Sequence, residues 1–185
     1  MREIEVKVRV SDGLNPIIAT LTAKGVIVAD PVTHHDRVYG LPGVPGASEN
    51  SEPWLRIRTE TKGGVATSYL TLKKSVTNQL DSIEHETIID DESEMEHIIE
   101  HVGFVPYSDL TKTRRKAHMG DIELCLDVVG PLGAFVEAEK LTGDDADYDA
   151  VVEELWGILE PLGLSRTDTV TDGYDVLMNK HLGKE

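Results

Sequence analysis

The chain has 185 residues, one cysteine and a formal net charge of −16 at pH 7, from 34 acidic and 18 basic side chains. This length suits a single domain, and one cysteine excludes an intrachain disulfide or a cysteine-rich zinc site. The acidic balance argues against nonspecific nucleic-acid binding, because long-range repulsion opposes a polyanion. No apolar run approaches the roughly 18 residues of a membrane span, and no apolar signal region follows the charged start, so we expect a cytoplasmic protein without membrane contact.

The first half of the chain predicts strands separated by one helix and one long loop. Residues 1–10 alternate between charged and apolar side chains, which predicts a β-strand with one charged and one apolar face. An apolar stripe at helical spacing predicts a helix over residues 16–24, and Gly25 is a plausible stop. Short strands are predicted at 26–29 and 37–39. Residues 40–53 hold three prolines and three glycines, which predicts a loop.

The second half predicts two hairpins, two further strands and three helices. The hairpins are predicted over 54–61 with 65–74 and over 110–118 with 121–128, and the further strands over 83–89 and 134–140. Helices are predicted over 91–102, 148–162 and 174–181. In the first of these helices, four side chains are expected to face inward: Met95, Ile98, Ile99 and Val102. Many strands with interposed helices indicate an α+β fold.

Several strands carry matched pairs of like charges on one face. Residues i and i+2 of a strand lie roughly 6.6 Å apart on the same side. Acidic pairs occur at Glu3/Glu5, Glu84/Glu86 and Glu137/Glu139, and basic pairs at Arg56/Arg58 and Lys112/Arg114. From periodicity alone, two arrangements remain open. These faces could be solvated, as in an ordinary sheet, or they could face inward and line a hydrophilic tunnel in a closed barrel.

Taken in chain order, these pairs resemble the CYTH superfamily, the triphosphate tunnel metalloenzymes. That group includes class IV adenylyl cyclases, thiamine triphosphatases and inorganic triphosphatases. The start Glu3-Ile-Glu5-Val-Lys7 resembles the family's ExExK signature, and residues 124–139, LCLDVVGPLGAFVEAE, are most similar to the CyaB-like cyclase branch. The resemblance covers nearly the whole chain. It implies one CYTH-like domain over residues 1–185, in which about eight antiparallel strands close into a charged tunnel with flanking helices.

The resemblance also implies roles for individual residues. Mg²⁺ or Mn²⁺ prefers carboxylate oxygens, and phosphates are bound by arginine forks and lysine point charges. The implied metal ligands are Glu3, Glu5, Glu137 and Glu139, with Glu84, Glu86 and Asp127 nearby. The implied phosphate-binding residues are Arg56, Arg58, Lys73, Lys112 and Arg114.

Lys7 matches the signature lysine, which is proposed to activate water in hydrolytic members of the family. Crowding by Arg9 and other cations is expected to lower the pKa of Lys7, as would suit a catalytic base. The alternative is that Lys7 is one more cation that binds phosphate.

The chain departs from the family pattern at several positions. Val38 stands where the family often has tyrosine, so Tyr39 is the candidate catalytic substitute. Ser82 and Ala117 replace a usual arginine and a usual tyrosine. His34 and His35 are expected to be surface residues beside a loop.

The resemblance implies a metal-dependent enzyme acting on a triphosphate such as ATP, tripolyphosphate or thiamine triphosphate. An adenylyl cyclase is the first expectation, and a triphosphatase is the alternative. A module that binds nucleotide or polyphosphate without turnover, and an acidic barrel with solvated charges, stay open as further readings. A homodimer is also left open. The acidic runs at 90–96 and 144–149 resemble the surface of a salt-adapted protein.

Overall fold

The computed structural model describes residues 2–44 and 52–184. Within these ranges the strands are β1 (Arg2–Val10), β2 (Val32–Gly40), β3 (Trp54–Lys62), β4 (Val65–Ser75), β5 (Asp81–Ile89), β6 (Val105–Met119), β7 (Ile122–Val129) and β8 (Gly133–Thr142). The α-helices are α1 (Asn15–Ala23), α2 (Glu92–His101), α3 (Tyr148–Leu159) and α4 (Tyr174–His181). The predicted loop at 40–53 falls partly on residues 45–51, which lie outside the described ranges.

The strands form one closed antiparallel barrel in the order β1-β5-β4-β3-β2-β6-β7-β8. Closure depends on β1, which pairs with β8 along its whole length and with β5 at its start. The β3–β4 hairpin turns through Gly63 and Gly64, whose φ angles of +58° and +83° suit glycine and match a two-residue hairpin loop. The α+β class and the eight-stranded barrel with flanking helices are therefore confirmed.

The main hydrophobic core lies outside the barrel wall. The apolar face of β1 places Ile4, Val6 and Val8 under α1 and α3, against Leu21 and Leu155. Because side chains alternate across a strand, Glu3, Glu5 and Lys7 then face the barrel interior. Helices cover the apolar face and the charged face is enclosed, so the inward arrangement is the correct one of the two that periodicity left open.

The structure departs from the predicted elements in three places. β2 is much longer than the predicted strand at 37–39 and carries both His34 and His35. Residues 26–29 form no named strand, and Val28 makes a single isolated bridge to Ala117. The helix predicted to end at residue 162 ends at Leu159, and one 3₁₀ turn follows.

The inward face of α2 also differs from the prediction. Ile99 is buried, but Ile98 and Val102 are 47% and 65% exposed. The reason is polar: Glu92 and Glu96, one turn apart, turn toward the barrel and bind Arg37. The helix therefore presents part of its acidic face to the barrel, in addition to Ile99, and not the whole predicted apolar stripe.

Among the described residues, no helix has both the length and the apolar character that crossing a membrane requires.

Candidate active site

The barrel interior encloses a cavity of about 390 Å³. Every predicted site residue except Asp127 and Tyr39 lines this cavity: Glu3, Glu5, Lys7, Arg56, Arg58, Lys73, Glu84, Glu86, Lys112, Arg114, Glu137 and Glu139. They come from β1, β3, β4, β5, β6 and β8, so barrel closure brings together residues that are far apart in the chain.

A carboxylate cluster lies on the neighbouring strands β1 and β8. One oxygen each from Glu5, Glu137 and Glu139 lie within 4.8 Å of one another. Burial and the nearby Glu137 and Glu5 raise the pKa of Glu139 to about 7. Burial and repulsion from Glu139 likewise raise the pKa of Glu3 well above its usual range. Glu137 differs, because Lys7 and Arg114 hold its pKa well below the usual range despite burial. The raised pKa values of Glu139 and Glu3 indicate that a bound cation would relieve the repulsion among the carboxylates.

This donor set fits a hard divalent cation. Carboxylate oxygens are the ligands that Mg²⁺ and Mn²⁺ prefer, and such ions commonly share their coordination with substrate phosphates. A second group, Glu123, Cys125 and Glu139, shares one carboxylate with the first. The buried Cys125 thiol has a pKa raised well above its usual range, mainly by burial, so it stays protonated and is a poor ligand for a hard cation.

Lys7 is held between carboxylates. Its Nζ lies 3.3 Å from Glu5 Oε1 and 3.3 Å from Glu137 Oε1, and it donates to the Asp172 carbonyl at 3.2 Å. Burial alone would lower the pKa of Lys7, but attraction to Glu5 and Glu137 outweighs burial and raises it. The expected lowering is therefore wrong.

Arg9 is the reason that the expected crowding does not occur. Although it shares a strand with Lys7, it is exposed near the end of β1 and donates to the Leu132 carbonyl at 2.6 Å. It does not line the cavity. The nearest charges to Lys7 are instead the carboxylates of Glu5, on its own strand, and of Glu137 on β8, which pairs with β1 from more than 120 residues away.

Two of the predicted phosphate-binding arginines are locked by buried aspartates. Arg58 donates from Nε and Nη2 to the two oxygens of Asp36, both at 2.7 Å. Arg114 makes the same two-pronged contact with Asp127, at 2.7 and 2.6 Å, and also contacts Glu137.

Asp127 was predicted near a metal, but the structure gives it a different position. It is fully buried at 0% exposure behind Arg114, and it also accepts from Lys112 at 3.2 Å. It does not line the cavity. Its carboxylate is already paired with Lys112 and Arg114, because Arg114 on β6 lies directly opposite Asp127 on β7. Asp127 therefore orients two cations.

Arg56 and Lys73 contact the carboxylates of β5. Arg56 donates from Nη2 to Thr71 at 3.2 Å and lies 3.7 Å from Glu86. Its buried Nε has no hydrogen-bond partner within the described part of the chain. Lys73 contacts Glu84 and lies 3.7 Å from Glu3, so Glu84 and Glu86 pair with cations in this structure.

Tyr39 lies on the outer face of the barrel. Its hydroxyl donates to Glu96 of α2 at 2.7 Å, and its ring packs with Ile99. Val38 lines the cavity in its place. Alternation along β2 puts Asp36 and Val38 inside and Tyr39 outside, so Tyr39 cannot substitute for an inward tyrosine.

The other departures from the family pattern fall in two environments. Ala117 packs in the hydrophobic core outside the barrel, so a side chain at this position does not reach the cavity. Ser82 is buried on β5 and donates to Glu84 at 3.1 Å.

His34 is a residue that the sequence analysis misplaced. It is 1% exposed, not a surface residue, and its Nε2 lies 3.0 Å from Glu60 Oε2. Burial and the nearby Arg58 and Lys112 lower the pKa of His34 to about 2, so the ring is neutral. Its two-residue spacing from Asp36 on a charged face was the available signal. His35, by contrast, is exposed and contacts Asp109.

The chain is similar in sequence to a known family and to a named relative. A family model described as the CYTH domain matches residues 1–174. A Methanocaldococcus jannaschii protein, provisionally named an adenylate cyclase, is 28% identical over 176 residues, which cover 94% of this chain and 97% of the relative.

Solved structures share the fold. The PH1819 protein of Pyrococcus horikoshii superposes with a TM-score of 0.81 at 26% identity, over 99% of each chain. A Hippeastrum protein, described as a provisional adenylyl cyclase with a dominant triphosphatase activity, superposes with a TM-score of 0.64 at 16% identity, over 98% of this chain and 95% of that one.

Proposed function

This chain belongs to the CYTH domain family, and from that premise we propose that it is a metal-dependent enzyme that converts a triphosphate inside the barrel. One observation carries the proposal. A carboxylate cluster of Glu5, Glu137 and Glu139 lies in the same cavity as the six lysines and arginines that the family resemblance implied for phosphate binding or catalysis. A sheet whose charged face is solvated would not bring the carboxylates and the cations into one cavity.

Acidic and basic side chains are interleaved in the cavity, with Lys7 lying between Glu5 and Glu137. Glu5, Glu137 and Glu139, with Glu3 beside them, would hold Mg²⁺ or Mn²⁺. When bound, such an ion supplies charge neutralisation for phosphate oxygens.

The cations then bind the phosphates. Arg56 holds a loose contact that a phosphate can replace, Lys73 is paired with Glu84, and Lys112 contributes a point charge from β6. Arg58 and Arg114 are fixed by aspartates and keep their orientation whether or not substrate is present. Donors held in place before the reaction stabilise charge that develops on the transferring phosphoryl group.

Lys7 acts in this proposal as a proton-bearing contact to phosphate and not as a base. Its raised pKa keeps the ammonium charged near neutral pH, so it cannot accept a proton from water or from a ribose hydroxyl.

Two reactions use the same set of residues. In the first candidate, adenylyl cyclase, the ribose 3′-hydroxyl of ATP attacks the α-phosphorus and pyrophosphate leaves. The name of the M. jannaschii relative and the CyaB-like run at 124–139 favour this candidate. In the second, a triphosphatase, water attacks the terminal phosphorus, and the activity described for the Hippeastrum protein favours it.

Product analysis tests the proposal. Pure protein is incubated with ATP, tripolyphosphate or thiamine triphosphate and with Mg²⁺ or Mn²⁺, at low and high salt. Cyclic AMP with pyrophosphate identifies a cyclase, and orthophosphate released from any of the three identifies a triphosphatase. Tight metal-dependent binding without any product would contradict the enzyme proposal and leave a binding module.

A further inference from the structure

Tyr174, the first residue of α4, forms part of the cavity wall. The segment before it is tied to the barrel by backbone contacts: the Val170 N–H donates to the Lys7 carbonyl at 2.9 Å, and the Gly173 N–H donates to Gln79 Oε1 at 2.7 Å. The C-terminal segment therefore places an aromatic side chain beside residues from β1 and β6.

The ring of Tyr174 lies beneath two of the cavity's ammonium groups. Lys7 Nζ is 4.5 Å and Lys112 Nζ is 4.7 Å from the ring centroid, within the range of cation–π attraction. Phe135 packs edge-on against the same ring, with centroids 5.1 Å apart. Tyr174 therefore contacts two of the cavity's ammonium groups and one aromatic ring.

The hydroxyl of Tyr174 has no role in holding the ring. The side chain is only 8% exposed, and its Oη makes no hydrogen bond to any described residue. A buried hydroxyl without a partner is unfavourable, and a phenylalanine would make the same ring contacts without this cost. Burial first, and then the carboxylates of Glu137 and Asp127, raise the pKa of the phenol well above its usual range. The group therefore stays protonated and can donate.

We propose that Tyr174 is a substrate-binding residue whose Oη donates a hydrogen bond to a phosphate oxygen that Lys7 and Lys112 attract. The inference rests on the proposed function, because it requires a polyphosphate in the cavity. It assigns the C-terminal segment a direct part in binding. In this arrangement the ring attracts two ammonium groups, and the hydroxyl adds an uncharged hydrogen-bond donor to the same side chain.

The substitution Tyr174→Phe separates the hydroxyl from the ring. It keeps the packing against Phe135 and the contacts of both lysines, and it removes only the unpartnered donor. Tyr148→Phe is the matched control, because Tyr148 lies on α3, does not line the cavity, and accepts a hydrogen bond from Asn78 Nδ2 at 2.9 Å.

The experiment is a calorimetric titration of tripolyphosphate with Mn²⁺ into the unmutated protein and both variants, with thermal unfolding of each free protein. A hydrogen bond to a charged group corresponds to about a tenfold or larger change in Kd. We expect Tyr174→Phe to weaken binding by that factor without lowering the unfolding temperature. Tyr148→Phe should lower the unfolding temperature and leave Kd unchanged.

Three results would overturn the inference. If the unmutated protein binds tripolyphosphate and Tyr174→Phe binds it equally well, the hydroxyl is not a ligand, although the proposed function stands. If Tyr174→Phe loses affinity and also unfolds as early as Tyr148→Phe, its role is structural. If the unmutated protein does not bind tripolyphosphate, the proposed function and this inference fail together.

Discussion

Arg56 and Arg58 lie two residues apart on β3 and face the same cavity, but their hydrogen-bond partners differ. Arg58 is paired in two-pronged fashion with the buried Asp36, which holds the pKa of that carboxyl below its usual range despite burial. Within residues 2–44 and 52–184, Arg56 makes one side-chain hydrogen bond, at 3.2 Å, and its Nε has no partner. Arg58 therefore contributes to the fold, and Arg56 has unused hydrogen-bonding capacity for a ligand.

Replacing each arginine with alanine should separate these two roles. Arg56→Ala should weaken tripolyphosphate binding by about 1.5–3 kcal/mol, the range for hydrogen bonds to charged groups, with little change in the unfolding temperature of the free protein. Arg58→Ala should lower the free energy of unfolding by about 3–5 kcal/mol, because it leaves Asp36 buried and unpaired. Calorimetry and urea unfolding measure the two quantities. Equal effects of both substitutions on stability would contradict the assignment.

Lys7 offers a test that depends on pH. Because its folded pKa lies above the value of a free lysine, the ammonium stays charged throughout the neutral range. Lys7→Ala should therefore raise KM or Kd for the triphosphate about tenfold or more, while the pH–rate profile near neutrality keeps its shape. Loss of one ionisation from that profile with affinity unchanged would show instead that Lys7 is a base.

At the scale of the elements, alternation along a strand determines which residues share a face, but not which face is enclosed. The pairs at Glu3/Glu5, Arg56/Arg58 and Glu137/Glu139 were predictable because each lies within one strand. Barrel closure, by contrast, depends on β1 pairing with β8 and β5, and the sequence of a single strand does not identify its pairing partners.

The errors of the sequence analysis have the same origin. The pKa of Lys7 is raised by Glu5 on its own strand and by Glu137 from a distant strand, and Asp127 pairs with Arg114 across two neighbouring strands. Tyr39 is different, because it lies three positions after Asp36 on the same strand. Strand alternation alone therefore puts the two side chains on opposite faces. The orphaned hydroxyl of Tyr174 could not be predicted, since it depends on how the C-terminal segment docks.

Because charged side chains occupy the barrel interior, the main apolar core lies between the barrel and the helices. Truncating a side chain in that core should lower the free energy of unfolding. Leu155 of α3 is fully buried against the outer face of β1 and β8. Leu155→Ala should lower the free energy of unfolding by about 2–5 kcal/mol through lost burial and a residual cavity. Tripolyphosphate affinity, measured where the variant is still folded, should not change. A cost below about 1 kcal/mol in urea unfolding would place the core elsewhere.

At the scale of the whole molecule, the charge is unevenly distributed. Seven basic and nine acidic side chains line the cavity, so most of the net charge of −16 lies elsewhere on the molecule. The lining itself carries more acidic than basic side chains, so a bound divalent cation would supply the positive charge that a polyanion needs in the cavity.

Salt should therefore act in opposite directions on stability and binding. Raising KCl from 0.05 to about 1 M shortens the Debye length to about 3 Å and screens repulsion among the outer carboxylates. The unfolding temperature of the free protein should rise by a few degrees, while tripolyphosphate affinity falls. Differential scanning calorimetry and binding titrations at matched salt measure both, and a falling unfolding temperature would contradict the charge distribution described above.

The most direct test of a metal-dependent triphosphate site is the rate of ATP and tripolyphosphate conversion as Mn²⁺ is titrated into the unmutated protein, Glu139→Gln and Glu153→Gln. Glu139 belongs to the carboxylate cluster, whereas Glu153 is exposed and bound to Arg166. We predict turnover that EDTA abolishes, and a Mn²⁺ requirement at least about tenfold higher in Glu139→Gln but unchanged in Glu153→Gln, since even supporting residues of metal sites change affinity 10–100-fold. Turnover that persists in EDTA, or an identical Mn²⁺ requirement in all three proteins, would contradict a metal site in the barrel.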